Sequence, residues 1–282
     1  GIREHIPPGS IHALRDAQVL DGDALPGMRL DHAGGPRPQL GFLVANHLIR
    51  RAAFAAVAGQ AGLTLFCGQR VTGVEPGREW SRVRLSGGQT LATKLVVAAD
   101  SRFSETRRSM GIPADSHDFG RTMLVCRMHH EQPHHQVAWE WFGYGQTLAL
   151  LPLAEHESSV VVTLPPGDIR RLMNAPADDF TAEIASRFQR RLDTMGLSST
   201  RHAYPLVGVY PRRFVGERFA LIGDAAVGMH PVTAHGFNFG LLGQDLLGQS
   251  IRHVQAVTGD IGDPGPLGRY ARELRRATRP LY

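Results

Sequence analysis

Residues 217–240 read ERFALIGDAAVGMHPVTAHGFNFG. An apolar strand, FALI, runs into Gly223-Asp224. Two alanines, a His-Pro step and a Gly-Phe-Asn follow, and a long apolar helix is predicted from about Asn238 to Val254. A second run, LVVAAD (95–100), also ends on an aspartate and reads as a strand buried on both faces. In open α/β sheets, ligands sit outside the carboxyl ends of the strands. Two strands therefore deliver Asp100 and Asp224 to the ligand end of one sheet.

A carboxylate there can accept hydrogen bonds from sugar-like hydroxyls. Gly223, Ala225 and Ala226 let a bulky ligand approach the backbone. The helix opening near Gly236–Asn238 presents unpaired N–H groups and a positive dipole end, which suits a ligand atom carrying negative charge. Either aspartate alone reads more simply as a turn cap. The whole constellation reads as a cradle for a large planar cofactor with a hydroxylated tail.

The bulk numbers agree with a folded enzyme-sized chain. It has 282 residues, 42% apolar and 20% charged, which is globular composition. The net charge is +5, carried almost wholly by arginine, with Lys94 the single lysine. Basic balance admits an anionic cofactor or an anionic membrane surface. No Lys/Arg run with interleaved aromatics is present, so nucleic acid is not expected as a partner. Two cysteines, Cys67 and Cys126, make no disulfide framework. No apolar run approaches the roughly 18 residues of a membrane span. GIREHIPPG and RRATRPLY read like interior sequence, so the chain is expected to be incomplete at both ends.

Along the chain, Asn46 is expected to cap a helix from His47 to about Gly59. Strands are expected at 63–67, 70–75, 81–86 and 90–94. From about 119 to 205 four strands at short spacing (TMLVCRMH, QVAWEWFG, QTLALLPL, SSVVVTL) predict an antiparallel sheet, followed by a helix from about Asp178 to Met195. MHHEQPHH (128–135) is expected at a solvated hairpin tip and lacks metal-ligand spacing, so no metal is expected. Trp139, Trp141 and Phe142 lie along one strand.

FALIGDAAVGMHPVTAHGFNFGLLGQDLL resembles the second FAD-binding motif of the flavin-dependent aromatic hydroxylases, the class A flavoprotein monooxygenases. LVVAADSRFSETRR resembles that family's Asp-Gly motif, and VANHLIRRA the segment before its early cofactor-contacting helix. WEWFGYGQTLALLPL and HPVTAHGFNFG resemble the ubiquinone-biosynthesis hydroxylase branch. Three departures stand out. No G-x-G-x-x-G follows a strand. Ser101 replaces the glycine of the Asp-Gly motif. Ala234 replaces the first glycine of Gly-x-Gly.

The resemblance implies an α/β plus α+β architecture: a Rossmann-like FAD-binding domain lacking its first βαβ unit, with an inserted antiparallel substrate sheet, as in the p-hydroxybenzoate hydroxylase-like fold. The expected segments are 1–118 and 206–282 for the cofactor and 119–205 for the substrate. By resemblance Asp224 would hold a ribityl hydroxyl and Gly223 allow the approach. Pro231 would lie against the flavin ring, and Gly236, Phe237 and Asn238 would offer N–H groups to its pyrimidine edge. Asp100 divides between a cofactor role and a turn role. Arg102 and Arg107 face phosphate or NAD(P)H in this reading, although for Arg107 a solvated position is the simpler one. His47 falls where relatives carry a cofactor-contacting Arg. His230 and His235 flank the flavin as candidates for tuning a phenol. Trp139, Trp141 and Tyr204 are candidates for an aromatic pocket.

The implied reaction is aromatic hydroxylation with O₂ and NAD(P)H through a C4a-hydroperoxyflavin. The cofactor carries that chemistry and the protein positions the ring. The implied substrate is a small aromatic or a polyprenylated phenol, met in the cytoplasm, at the inner-membrane surface or in a biosynthetic complex. Alternatives are a flavin-dependent isoprenoid reductase or halogenase on the same scaffold, or a non-enzymatic lipid-binding accessory protein that has lost its flavin.

Overall fold

A computed structural model describes residues 1–22, 27–231, 234–257 and 259–282. The chain begins with β1 (His12–Leu14), β2 (Asp16–Asp21), β3 (Met28–Leu30), β4 (Gly41–Leu43) and α1 (Asn46–Val57). It continues through β5 (Val71–Glu75), β6 (Ser81–Leu85), β7 (Thr90–Thr93), β8 (Val96–Ala98) and α2 (Glu105–Ser109). Then come β9 (Ala114–His130), β10 (Val137–Gly143), β11 (Gln146–Pro152), β12 (Glu157–Leu164), α3 (Pro166–Asn174) and α4 (Ala177–Arg187). The last part holds β13 (Met195–Leu197), β14 (His202–Pro211), β15 (Val215–Gly216), β16 (Phe219–Leu221), α5 (Gly236–Val257) and α6 (Pro264–Thr278).

The chain forms two compact units, each assembled from two stretches. One comprises Gly1–Thr64 with Gly120–Leu206, the other Leu65–Phe119 with Val207–Tyr282. The division differs from the sequence-based segments in one place: residues 1–64 fold with the antiparallel sheet. The reason is β2, which pairs in parallel with β10, Trp139 beside Gln18 and Trp141 beside Leu20.

In the first unit the sheet runs β13-β9-β12-β11-β10-β2-β3. Period-two alternation sorts its side chains. Trp141, Leu148, Leu150, Val160, Val162, Leu124, Cys126 and Met128 project to one face, where Ile169 and Leu172 of α3 and Phe180 and Ile184 of α4 complete the core. Val160, Val162, Leu172, Phe180 and Ile184 are fully buried. Each such side chain contributes about 1.5–3 kcal/mol of burial free energy.

In the second unit β16 pairs in parallel with β8, Leu221 beside Ala98, and β15 adds an antiparallel edge. A separate meander, β5-β6-β7, lies in the same unit. Helices α5 and α6 cover the parallel strands with Leu247, Leu267, Tyr270 and Leu274. The buried Tyr270 hydroxyl donates to the Leu221 carbonyl, fixing α6 to the last residue of β16.

Several expectations are corrected. Asn46 is the first helical residue and not the cap; Ala45 takes that place without a side-chain bond. Residues 63–67 are not a strand, and nothing pairs with them among the described residues; Leu63, Leu65 and Phe66 are exposed. The helix after 178 ends at Arg187, because Gln189, Arg190 and Asp193 adopt positive φ, incompatible with helix. Val97 is exposed, so β8 is not buried on both faces. The 128–135 histidines do not sit at a hairpin tip, since β9 pairs with β12 and β13 and not with β10. Nor are they all solvated. His130 and His134 are each only 5% exposed. His130 is paired with the Gln132 carbonyl and the Ser158 hydroxyl, and His134 with the Ala154 carbonyl.

Candidate functional site

Because β8 and β16 run in parallel, the segments leaving them emerge at the same end of the sheet. Asp100 follows β8 and Asp224 follows β16. The loop after β8 also supplies Arg102. Its Nη2 donates to Asp224 Oδ2 at 3.0 Å, and its Nη1 donates to the Val207 carbonyl at 3.0 Å. One guanidinium thus ties the two strand ends together, using the planar fork that suits arginine to such a bridge. Gly228 makes room for it: a Cβ there would stand 2.7 Å from the Arg102 Cβ.

Gly223 has φ +57, and a Cβ built on it would meet nothing within 4 Å. Backbone conformation requires the glycine, and open space lies beside it. Helix α5 begins at Gly236, where a Cβ would also meet nothing within 4 Å. Gly240 of α5 lies beside Gly223: a Cβ built on it would stand 3.7 Å from the Gly223 Cα, an ordinary contact. Phe237 and Asn238 occupy the exposed first turn of α5, and Pro231 is exposed just before it. Residues 232 and 233 of this stretch lie outside the described residues.

Asp100 is committed to its own loop. Its carboxylate accepts from the Ser104 hydroxyl, the Thr106 N–H at 3.0 Å and the Thr106 hydroxyl at 2.9 Å. Burial by itself would raise its pKa, and these hydrogen bonds outweigh it, holding the carboxyl below the usual range. Of the two roles open to Asp100, this geometry is the turn role.

Arg107 is not on a solvated face. It is 6% exposed, and its Nε and Nη1 have no partner among the described residues. Burial pulls its pKa down. An unsatisfied buried guanidinium is costly and so points to an anion that completes it. No periodicity in the sequence marks Arg107 as buried; the signal is Ser104, three residues earlier, whose hydroxyl accepts from the Arg107 N–H and caps α2.

Both departures from the glycine motifs fall in the left-handed region: Ser101 has φ 79 and Ala234 has φ 51. The fold keeps there the conformation that glycine would adopt without strain.

His230 packs edge-on against Phe119, ring centroids 4.6 Å apart, and burial lowers its pKa. His235 is exposed, its ring 5.5 Å from that of Phe239. These residues, with Asp100, Arg102 and Asp224, belong to the second unit.

His47, Trp139, Trp141 and Tyr204 belong to the first. His47 is exposed in the first turn of α1. Among the described residues the tryptophans lie on the core face of the sheet rather than in an aromatic pocket. Trp141 is in the core and Trp139 packs against it. Arg191 lies over both rings, at 5.1 Å and 5.0 Å from the centroids. The Trp141 indole N–H donates to the Gly22 carbonyl at 2.8 Å. Tyr204 is exposed and stacks against His202 at 6.5 Å. Sequence reasoning passed over Glu140, between the two tryptophans on the opposite face of β10.

Asp16, Asp31 and His32 could approach one cation. Asp16, however, already accepts from Arg29 at 2.9 Å, faces His32 Nδ1 at 2.7 Å and accepts from the His32 N–H at 3.1 Å. Those contacts anchor β3 and the following turn to β2.

The FAD binding domain family matches residues 52–277. The ubiquinone hydroxylase UbiM of Neisseria meningitidis is 42% identical, over 100% of this chain and 62% of its own length. The ubiquinone hydroxylase UbiL of Rhodospirillum rubrum is 33% identical, over 95% of this chain and 62% of its own length. The chain therefore spans less than two thirds of these relatives. Among solved structures, HpxO of Klebsiella pneumoniae, complexed with FAD and uric acid, superposes with a TM-score of 0.74 at 20% identity, covering 96% of this chain and 70% of that one. The fold is thus shared with a flavoprotein at low sequence identity.

Proposed function

The chain belongs to the FAD binding domain family, and from that premise we propose that it is part of an FAD-dependent monooxygenase that hydroxylates an aromatic ring. The observation that carries the reading is the Arg102–Asp224 bridge at the carboxyl ends of β8 and β16, beside the open space at Gly223 and Gly236. The residues fit the cofactor. Asp224 keeps Oδ1 without a partner among the described residues, ready to accept from a ribityl hydroxyl. Gly236, Phe237 and Asn238 offer first-turn N–H groups to an electron-rich ring edge. Arg107 offers unsatisfied donors to a phosphate of FAD or NAD(P)H.

FAD when bound supplies the electron-carrying ring at which NAD(P)H delivers its hydride and O₂ is activated. In this reading the residues named above hold that ring and its tail. His230 and His235 remain the candidates for tuning a phenol. Tyr204 belongs to the substrate side. In this reading, the unit of 65–119 and 207–282 serves the cofactor and the antiparallel sheet of the other unit serves the substrate.

The substrate we infer is a polyprenylated phenol of ubiquinone biosynthesis, by analogy with the relatives named above. Such a substrate places the work at the inner-membrane surface, reached from the cytoplasm. No helix among the described residues is long and apolar enough to cross a membrane. The test is the visible spectrum of the protein at its full natural length. Flavin bands released as FAD on heating, with phenol-dependent NAD(P)H oxidation and O₂ uptake, are expected. A folded, colourless protein that takes up no added FAD overturns the reading.

A further inference from the structure

The outer face of the first unit's sheet, opposite the core of α3 and α4, has an apolar centre and a polar margin. Glu140 sits on it in the middle of β10. Its direct register partners are Ala149 on β11 and Val19 on β2. Ala138 and Phe142 flank it along β10, and Val161 on β12 lies beyond Ala149. The Glu140 carboxylate is partly buried and makes no hydrogen bond or ion pair among the described residues. Asp21, Arg127, His129 and Glu157 share the face further out, and none of them pairs with it.

A carboxylate on an apolar surface without a partner costs folding free energy and has no evident structural use. It is suited to a ligand that is apolar over most of its surface and brings one hydrogen-bond donor. Resting on the proposed function, we infer that Glu140 anchors the ring hydroxyl of the phenolic substrate, its carboxylate accepting the O–H while the ring and its tail lie on the apolar face. The acceptor also draws electron density toward the ring, because a hydroxyl donating to an anion gains phenolate character. Burial, which raises the Glu140 pKa to about 7 by desolvation, is consistent with a site that lacks solvent and counter-ion.

The test compares two probes on the full-length protein with FAD added: 4-hexylphenol and its methyl ether, which lacks the O–H. The native protein should bind the phenol about tenfold or more tightly than the ether. Glu140→Ala should lose most of that preference while ether affinity stays unchanged, and the isosteric Glu140→Gln, whose amide oxygen still accepts, should lose only the part due to charge. Variants that keep the full preference overturn the inference. A native protein that binds FAD without preferring the phenol overturns it too, and leaves the cofactor reading standing. A Glu140-dependent preference in a protein that takes up no FAD supports the anchor while removing the hydroxylase reading.

Discussion

Arg102 and Asp224, 122 residues apart in sequence, meet with Nη2 and Oδ2 3.0 Å apart. The contact joins the loop after one parallel strand to the turn after its neighbour. Each side chain is partly exposed, so the pair itself adds only about 0–1 kcal/mol to stability.

Its value lies in aiming the carboxylate. Asp224→Ala should leave the unfolding free energy within about 1 kcal/mol of native, yet weaken FAD about tenfold to a hundredfold. Arg102→Ala should weaken FAD less, since the carboxylate remains but is no longer oriented. Flavin fluorescence titration together with urea unfolding separates the two effects.

Ser101 and Ala234 occupy left-handed backbone at φ 79 and φ 51. Replacing either by glycine should stabilise the fold by about 1 kcal/mol. Urea midpoints measured on the single variants check this. Unchanged or lowered midpoints would show that neither position is strained.

Arg107 is buried with two nitrogens unsatisfied. In the cofactor-free protein Arg107→Met should be neutral or stabilising, by about 0–2 kcal/mol, because it removes an uncompensated buried charge. With dinucleotide present the order should reverse, the native protein gaining more from the ligand. Thermal shifts with and without FAD or NADPH give the comparison.

Burial raises the Glu140 pKa from 4.5 to about 7. A carboxyl with a raised folded pKa binds more protons folded than unfolded between those values, so stability falls as pH rises from about 4.5 to 7. Solvent reaches part of the carboxyl, so the loss from this residue is on the order of 1–2 kcal/mol. Glu140→Gln should flatten that slope and be the more stable protein at pH 8. Urea unfolding at pH 5 and pH 8 reads both.

Much of the site was legible because it depends on local pattern. FALIGD and LVVAAD announce their strand ends, and the Gly-Phe-Asn step announces α5. The outcome at Asp100 was not legible, since it turns on which hydroxyls reach its carboxylate. Alternation along β10 puts Trp139 and Trp141 on one face. Alternation cannot say which face is core; α3 and α4 decide that, and α3 was not foreseen because it starts at a proline pair after a strand. LTLFC looked like a strand by composition, but a strand needs a partner, and none is supplied among the described residues. The pairing of β2 with β10 is invisible to any local reading, since 121 residues separate Asp16 from its partner Val137.

That pairing also bears on how the protein is made. At about 5–20 residues per second, a ribosome needs on the order of ten seconds to travel from Asp16 to Val137. Over that interval β2 has emerged and its partner does not yet exist. Since both units close only when later stretches return to earlier ones, nascent chains must wait with apolar strands uncovered. Chaperone supply and translation speed, more than any single contact, should govern the yield of folded protein in a cell.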